Sequence, residues 1–285
     1  MFSQLVGAVA RACCVIVVIT TPALMIPGTS PDGAQGATLI ALALGVFIAV
    51  EYAAPSPGLV GFRDAPPFNR LRLGALFATL FLLSLIAVAQ FGQGSSLALV
   101  VSAFGVVIAA LLDVPLSPLQ AMAAQVPEGL DPVHAVKIEA MTGLAFLVLL
   151  VATAAFALVV RLGQWPSRDC AFNVWVNLPT FDPNGGADVV KRLRRAAVLN
   201  MILGVAAPFA LPGFAVSFAT LVGIDGLGAP HTLVWGITLW MFVPLSLLMR
   251  GIALARIASM IGRRRESLMT AALASDAASA PALSR

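Results

Sequence analysis

The sequence predicts an all-α membrane protein, a polytopic bundle of about seven transmembrane helices, with a count between six and eight. Hydrophobic residues make up 60% of the 285 and charged residues only 11%, whereas a soluble domain carries roughly 25% charged residues. The apolar stretches are continuous and roughly 20 residues long, which is the length of a helix that crosses the hydrocarbon core. Strands of a membrane barrel would instead alternate apolar and polar residues.

Seven apolar runs define the predicted spans. They cover residues 5–26, 36–54, 73–90, 96–112, 140–160, 196–222 and 231–256. Breaks rich in glycine and proline separate several of these runs, as is typical of turns. We interpret residues 1–265 as a single transmembrane domain. The Ala/Ser-rich remainder, 266–285, has little apolar surface to bury, so we expect it to be disordered.

The orientation that the charges predict contains a conflict. Cations cluster at 63–72, 161–195 and 250–265, and cationic segments favour the cytoplasmic side. Three runs separate the first cluster from the second, so these two clusters should lie on opposite faces. A cytoplasmic C-terminus then leaves the 63–72 arginines outside. An eighth crossing within 113–139 would place every cluster inside, but charges there disfavour a regular span. A re-entrant or interfacial segment is the alternative.

Few polar groups lie within the predicted spans. The free-energy cost of placing such a group in the membrane is normally tolerated only where the group has a function. Arg11 lies inside the first span and can reach the headgroups with its long side chain, or it can pair with an acid of another span. Glu51 lies near the end of the second span, and we expect it at the interface. Asn200 lies near the start of the sixth span, where we expect it to hydrogen-bond between helices.

The sequence carries no motif of the common enzyme classes: no HExxH, no nucleophile turn and no Gly-rich phosphate loop. We therefore predict no catalytic, cofactor-binding or metal-binding residue. The two histidines, His134 and His231, would have to meet to share a metal. In a membrane-embedded enzyme, side chains among His134, Glu128, Asp131 and Glu139 would have to lie together in one pocket.

Small residues recur every four positions along the second predicted span. They are Ala41, Gly45, Ala49 and Ala53. Small residues at this spacing let helix backbones approach closely, which favours association of spans. The stripe predicts helix packing, either within the chain or against another chain.

The connections between the spans carry the candidate contacts to a partner protein or to lipid phosphates. Consecutive prolines stiffen the 62–70 loop, whose arginines suit phosphate. Tryptophans of the 161–195 connection fit the interfacial belt, and arginines after the last span suit anionic lipid. These candidates are Arg63, Asp64, Asn69, Arg70, Trp165, Trp175, Arg263, Arg264 and Arg265. The alternative for the 62–70 loop is a surface turn with headgroup-facing arginines.

Scarce buried polarity, small-residue stripes and partner-like loops favour a non-enzymatic scaffold, assembly or accessory component of a membrane complex. The alternative is a transporter or channel for a small or lipidic solute, because prolines interrupt the sixth run. A polar cavity near Asn200, Pro208 and Pro212 would support that alternative. A membrane-embedded enzyme is the second alternative.

The expected partners are the lipid bilayer and either another membrane protein or a second copy of the chain. Nucleic acid is not expected, because the basic patch after the last run is short and lies against the membrane. Ala- and Arg-rich, Lys-poor usage indicates a bacterium. We therefore expect a multi-pass protein of the bacterial cytoplasmic (inner) membrane with its C-terminus in the cytoplasm.

Overall fold

The computed structural model describes residues 2–55, 58–89, 95–127, 129–163, 165–166, 177–178, 188–223 and 228–279. These residues form eight helices: α1 (Phe2–Met25), α2 (Pro31–Ala53), α3 (Phe68–Ala89), α4 (Ser96–Leu112), α5 (Pro118–Ala123), α6 (Pro132–Arg161), α7 (Val189–Val222) and α8 (Pro230–Ser279). Two residues singled out in the sequence, Glu128 and Trp175, lie outside the described residues.

Six of the described helices are long and apolar enough to cross a membrane, namely α1, α2, α3, α6, α7 and α8. The seventh apolar helix, α4, has 17 residues and spans about 26 Å, against about 30 Å of hydrocarbon. The prediction of an all-helical membrane bundle of about seven spans, six to eight, is confirmed, with six helices long enough to cross and the shorter α4 as the seventh apolar helix. α8 continues to Ser279, through part of the tail expected to be disordered, and the alanines there favour helix.

Capping residues determine where two of the helices begin. The Ser30 hydroxyl accepts the Gly33 N–H at 3.1 Å, directly before Pro31 opens α2. Ser95 caps α4 in the same way through the Ala98 N–H. A serine at the N-cap satisfies an N–H group that has no helical partner, and a proline at the first position has no such group to satisfy.

The core lies where α3, α6 and α8 meet. Large side chains of all three helices are fully buried there, among them Leu83, Ile86, Leu144 and Ile237. α1 packs on α3 and carries α2 on its outer side, while α7 packs on α8 and on the short α5. α2 and α7 therefore lie at the periphery, and their exposed apolar faces suit lipid.

Contacts between small residues set the direction of α4 relative to α6. A Cβ at Gly105 would lie 2.9 Å from the Ala140 carbonyl oxygen, and one at Gly143 would lie 2.7 Å from the Ala109 backbone nitrogen. Residues 105 and 109 thus meet residues 140 and 143 in the same order, so α4 and α6 run in the same direction. The 113–131 connection must consequently return to the end of the bundle from which α4 starts.

Contacts at the other end of α6 show which connections lie together. Phe68 opens α3 and contacts Phe156 near the end of α6, with ring centroids 5.4 Å apart. Trp165, just after α6, donates its indole N–H to the Ala65 carbonyl at 3.0 Å. Arg256 of α8 donates to the Trp165 carbonyl at 3.3 Å. The 55–72 connection, the end of α6 and the later part of α8 therefore share one end of the bundle.

The expectation that the 63–72 arginines lie opposite the other cation clusters is wrong, since all described arginines lie at this end. The reason is that α4 and α6 run in the same direction, so the chain between α3 and α6 changes ends an even number of times. We call this end the basic end. At the other end, called the acidic end, lie Asp32, Asp131 and Glu139, and Lys137 is the one described cation there.

Glu51 determines the path of the connection from α2 to α3. Its carboxylate accepts the backbone N–H groups of Gly58, Leu59 and Val60 at 3.0–3.2 Å, and the residue is only 8% exposed. Hydrogen bonds from backbone N–H groups to an ionised carboxylate are short and strong. Glu51 lies near the end of α2, and its position at the membrane interface stays a prediction.

Arg63 and Asn177 hold the next part of this connection. The Arg63 guanidinium donates to the carbonyls of Glu51 and Ala54 at 2.7 and 2.8 Å, where a helix C-terminus favours a cation. The Phe62 N–H donates to the Asn177 carbonyl at 2.7 Å. Phe62, with a positive φ of 55°, then packs on the aromatic rings of Phe68 and Trp165.

Substitution of Gly143 tests the close approach of α4 and α6. We expect Gly143→Ala to lower stability by about 1–3 kcal/mol, because the new methyl group meets backbone atoms of Ala109 that cannot move cheaply. The matched control is Gly74→Ala on α3, where nothing lies within 4 Å and the better helix propensity of alanine applies. Thermal unfolding in detergent measures both, and equal midpoints for the two variants would contradict the packing.

Removal of the Glu51 charge tests the connection that it holds. We expect Glu51→Gln to weaken the three backbone hydrogen bonds, at a cost of about 1–3 kcal/mol, because the amide replaces one acceptor oxygen with a donor. Hydrogen–deuterium exchange should become faster at Leu59 and Val60. Asp32→Asn, an exposed acid at the acidic end, is the control and should leave this exchange unchanged. If both amides stay equally protected in Glu51→Gln, the Glu51 carboxylate does not hold this connection.

Candidate functional site

A cavity of about 520 Å³ opens at the basic end between the α1–α2 pair on one side and α3 and α8 on the other. Four arginines line it, and we call it the arginine cavity; they are Arg11, Arg70, Arg72 and Arg250. One wall is formed by residues 59–62 of the connection that Glu51 holds. The Glu51 hydrogen bonds therefore help to position this wall of the cavity.

The polar and apolar parts of the arginine cavity lie at different depths. Deeper along each helix than the arginines come apolar lining residues, such as Val15 on α1, Leu76 on α3 and Phe242 on α8. Tyr52 and Ser246 lie with the arginines nearer the basic end. The cavity thus joins a cationic mouth to an apolar interior within one space.

Among the described residues that line the arginine cavity, no acid offsets its positive charge. The two acids of the nearby connection are engaged elsewhere: the Glu51 carboxylate bonds backbone N–H groups, and Asp64 pairs with Arg63 at 3.2 Å. A concave site lined by one sign of charge and walled by apolar groups concentrates ions of the opposite sign. The cavity is therefore electrostatically suited to an anion.

Arg72 is the most firmly positioned of the four arginines. Its Nε and Nη2 atoms donate to the Ser246 hydroxyl at 3.2 and 3.0 Å. Its guanidinium lies over the rings of Phe68 and Phe242, with its central carbon 5.6 and 5.4 Å from their centroids. One hydroxyl cannot accept all five N–H donors of an arginine, and no other described residue accepts from Arg72. The remaining donors are available to a ligand in the cavity.

The other three arginines differ in how firmly they are held. The Arg11 guanidinium lies over the Tyr52 ring, 4.7 Å from its centroid, and donates to the Gly7 carbonyl at 2.7 Å. Arg70 and Arg250 are exposed at the mouth. A fixed inner cation with exposed outer cations is an arrangement that can accept anions of different size. The described lining residues include no histidine or carboxylate; the arginines and Tyr52 can bind and orient an anion.

A second cavity, also about 520 Å³, lies between α5, α7 and α8 toward the acidic end. Its lining is apolar apart from threonines, and includes Met122, Leu211, Pro212 and Trp240. Pro212 has no N–H to donate to the Pro208 carbonyl, four residues before it in α7. The Trp240 indole N–H donates to that carbonyl instead, at 2.7 Å. This cavity lies near Pro212 but lacks the polar lining that a hydrophilic pathway needs.

The polar residues singled out in the sequence make several different kinds of contact. Arg11 and Arg70 line the arginine cavity, and Asn69 lines it while donating to the Gly61 and Phe62 carbonyls at 2.9 and 3.2 Å. Arg63 holds the end of α2. Asn200 bonds the Ala196 carbonyl of its own helix at 2.8 Å. The structure therefore brings only part of the predicted set into one site.

The remaining predicted residues lie away from the cavity. Trp165 is buried against Phe62 and Phe156 rather than at a surface. Arg263 and Arg264 are exposed on α8. Arg265 bonds Asp188, and this cation, with the Val190 N–H, holds the pKa of the Asp188 carboxyl below its usual range.

The small-residue stripe of α2 is partly used within the chain. Ala41 and Gly45 are buried, and a Cβ at Gly45 would lie 2.7 Å from the Ile16 side chain of α1. Ala49 is half-buried and Ala53 is exposed. Contact with another chain through this stripe stays a prediction.

The enzyme alternative required acids and a histidine to converge. His134, Asp131 and Glu139 line neither cavity. The second histidine, His231, has its Nε2 atom 2.9 Å from the Thr29 hydroxyl. Within the described ranges, no group of three or more His, Cys, Asp or Glu side chains is placed to hold a metal ion.

Sequence reasoning missed Arg72, Arg250, Tyr52 and Ser246 as site residues. Arg72 stands at the start of an apolar run and Arg250 near the end of another, where arginines ordinarily reach the headgroups. Arg72 and Arg250 lie at a similar depth in the bundle, and this could have identified them. Recognising it requires knowing that the start of α3 and the later part of α8 lie at the same end, which depends on the direction of α4 and cannot be read from the sequence.

Comparison with known proteins gives no family assignment. No protein-family model, no curated protein and no solved structure matches this chain.

Proposed function

We propose that this chain is a non-enzymatic membrane protein that binds a phosphate-bearing amphiphile in the arginine cavity, as an accessory or assembly component of a membrane complex. The observation that supports the proposal is the convergence of four arginines above an apolar interior, with no acid among the described lining residues. An anionic headgroup with a hydrocarbon chain matches both parts of this cavity. A small hydrophilic anion would leave the apolar part without a complement.

The chemistry of arginine is compatible with a phosphate as the anion. The guanidinium presents its donors in a planar fork that bonds phosphate oxygens in pairs. Basic pockets between transmembrane helices on the cytoplasmic side are a recurring form of phospholipid site. Arg72 has its orientation set by Ser246, so little side-chain entropy is lost when it binds a phosphate.

The distribution of charge supports a cytoplasmic location of the basic end. Arginines and lysines accumulate on the cytoplasmic side of membrane proteins, and the basic end holds all described arginines. Its helices include the later part of α8, so the C-terminal side of the bundle is cytoplasmic in this proposal. Arg-rich, Lys-poor usage supports a bacterial cytoplasmic membrane.

Transport of a lipidic solute is the second candidate function. The apolar cavity beside Pro212 favours it, because it offers an apolar ligand a second site toward the opposite end of the bundle. The hydrogen bond from Trp240 to Pro208 counts against movement at the kink of α7. Accessory binding accounts for the arginine cavity without requiring such movement.

Stabilisation by lipid tests the proposed function. We expect dioctanoyl phosphatidylglycerol to raise the thermal unfolding midpoint of the purified chain more than dioctanoyl phosphatidylcholine or inorganic phosphate does. In the Arg72→Gln/Arg250→Gln variant, the lipid concentration needed for half of this effect should rise about tenfold or more, because charge-assisted hydrogen bonds are lost.

The matched control is Arg263→Gln/Arg264→Gln, which removes the same charge from an exposed part of α8. It should leave the lipid concentration for half effect unchanged. Equal weakening in both double variants would show that the lipid responds to overall charge rather than to the cavity. Equal stabilisation by inorganic phosphate alone would identify a free anion as the ligand and overturn the amphiphile proposal.

A further inference from the structure

The turn between α4 and α5 has an irregular backbone, and the side chains of residues 113–116 are exposed. α4 ends at Leu112, and residues 113–117 are not helical before α5 begins. Leu116 has a positive φ of 65°. Leu116 is 88% exposed and Val114 55% exposed, and Asp113 is exposed as well.

The contacts of α4 with α6 fix the depth of this turn. Since Ala109 meets Gly143, and the two helices run in the same direction, Asp113 lies level with residue 147 of α6. At 1.5 Å per residue, that is about 12 Å inward from Glu139 and about 14 Å short of Phe156. Glu139 lies toward the acidic end and Phe156 toward the basic end, so the turn lies in the middle of the hydrocarbon layer.

Two properties of this turn do not suit contact with lipid. Irregular backbone at membrane depth occurs only where protein or a water-filled cavity covers it. An acidic side chain at that depth costs several kcal/mol unless it is paired. No described residue hydrogen-bonds the Asp113 carboxylate, and it lines neither of the two cavities. The described part of the chain therefore leaves the turn uncovered.

We propose that the 113–117 turn is a docking surface for a transmembrane helix of a different membrane protein, one that carries a lysine or arginine at mid-membrane depth. The cation would pair with the Asp113 carboxylate, and the apolar part of the helix would cover Val114 and Leu116. Charge complementarity selects this occupant over a second copy. In a membrane, a second copy presents its own residues at equal depth, and all described arginines lie at the basic end.

Lys137 does not alter this choice, although it is the described cation nearest to Asp113 on the acidic side of the turn. It lies ten residues before the level of the turn on α6, which corresponds to about 15 Å, and it is half-buried. Arg72, four residues after Phe68 on α3, lies about 8 Å from the level of the turn on the basic side, but Ser246, Phe68 and Phe242 hold its guanidinium in the arginine cavity. This proposal rests on the α4–α5 turn alone and is independent of the arginine cavity.

Site-specific photo-crosslinking in native membranes tests the proposal. A benzophenone amino acid is placed at Leu116 of the full chain, and at Leu39 of α2, which is 68% exposed, as the matched control. We expect a discrete protein adduct from position 116 but not from position 39, with the crosslink in a partner span that contains a lysine or arginine. Asp113→Asn should reduce the adduct yield about tenfold, as expected for loss of a charge-assisted hydrogen bond.

A charge exchange makes the result specific to Asp113. Asp113→Lys should abolish the adduct, and the reciprocal substitution of the partner cation by aspartate should restore it. Thermal unfolding of each variant confirms that the chain is folded. Crosslinks only to lipid, only to a second copy, or to a partner span without a cation would each overturn the proposal. Labelling of an Asp113→Cys variant by a membrane-impermeant thiol reagent would overturn it too, because the turn would then face water.

Discussion

The close packing of α4 against α6 is the constraint on which the distribution of charge in this bundle depends. Gly105 and Gly143 allow the two backbones to approach in the same direction, so the connection between them has to return to the acidic end. The arginines before and after this region therefore meet at one end of the bundle. Larger side chains at either glycine would force α4 away from α6.

Once the arginines share one end, the connection between α2 and α3 gives them a concave surface. Glu51 holds the 58–60 backbone, and Arg63 holds the end of α2. The Glu51 carboxylate and the Arg63 guanidinium are thereby hydrogen-bonded to backbone groups within the connection. No acid lies among the described lining residues of the arginine cavity, so the same small region contains both hydrogen-bonded charges and a site suited to an anion.

Much of the fold follows from the sequence, because continuous apolar runs and their breaks show where helices lie. The predicted sixth run falls within α7, and Glu51 lies at the end of α2 as expected. The direction of α4 could not be read, since a run of 17 apolar residues suits either a crossing or a re-entrant segment. For the same reason, only part of the site could be predicted from the sequence. Arg11 and Arg70 were candidates, whereas Arg72 and Arg250 can be assigned to the site only once α3 and α8 are known to meet at the same end.

The central claim is that the described bundle begins and ends on the same side of the membrane, with the later part of the 113–131 connection, around Pro127, on the opposite side. Protease-cleavable tags placed before Phe2 and after Ser279, and a third within the loop at Pro127, test it in sealed vesicles of known orientation. The account predicts cleavage of the two terminal tags in one orientation and of the loop tag only in the other. Cleavage of the two terminal tags in opposite orientations would contradict it.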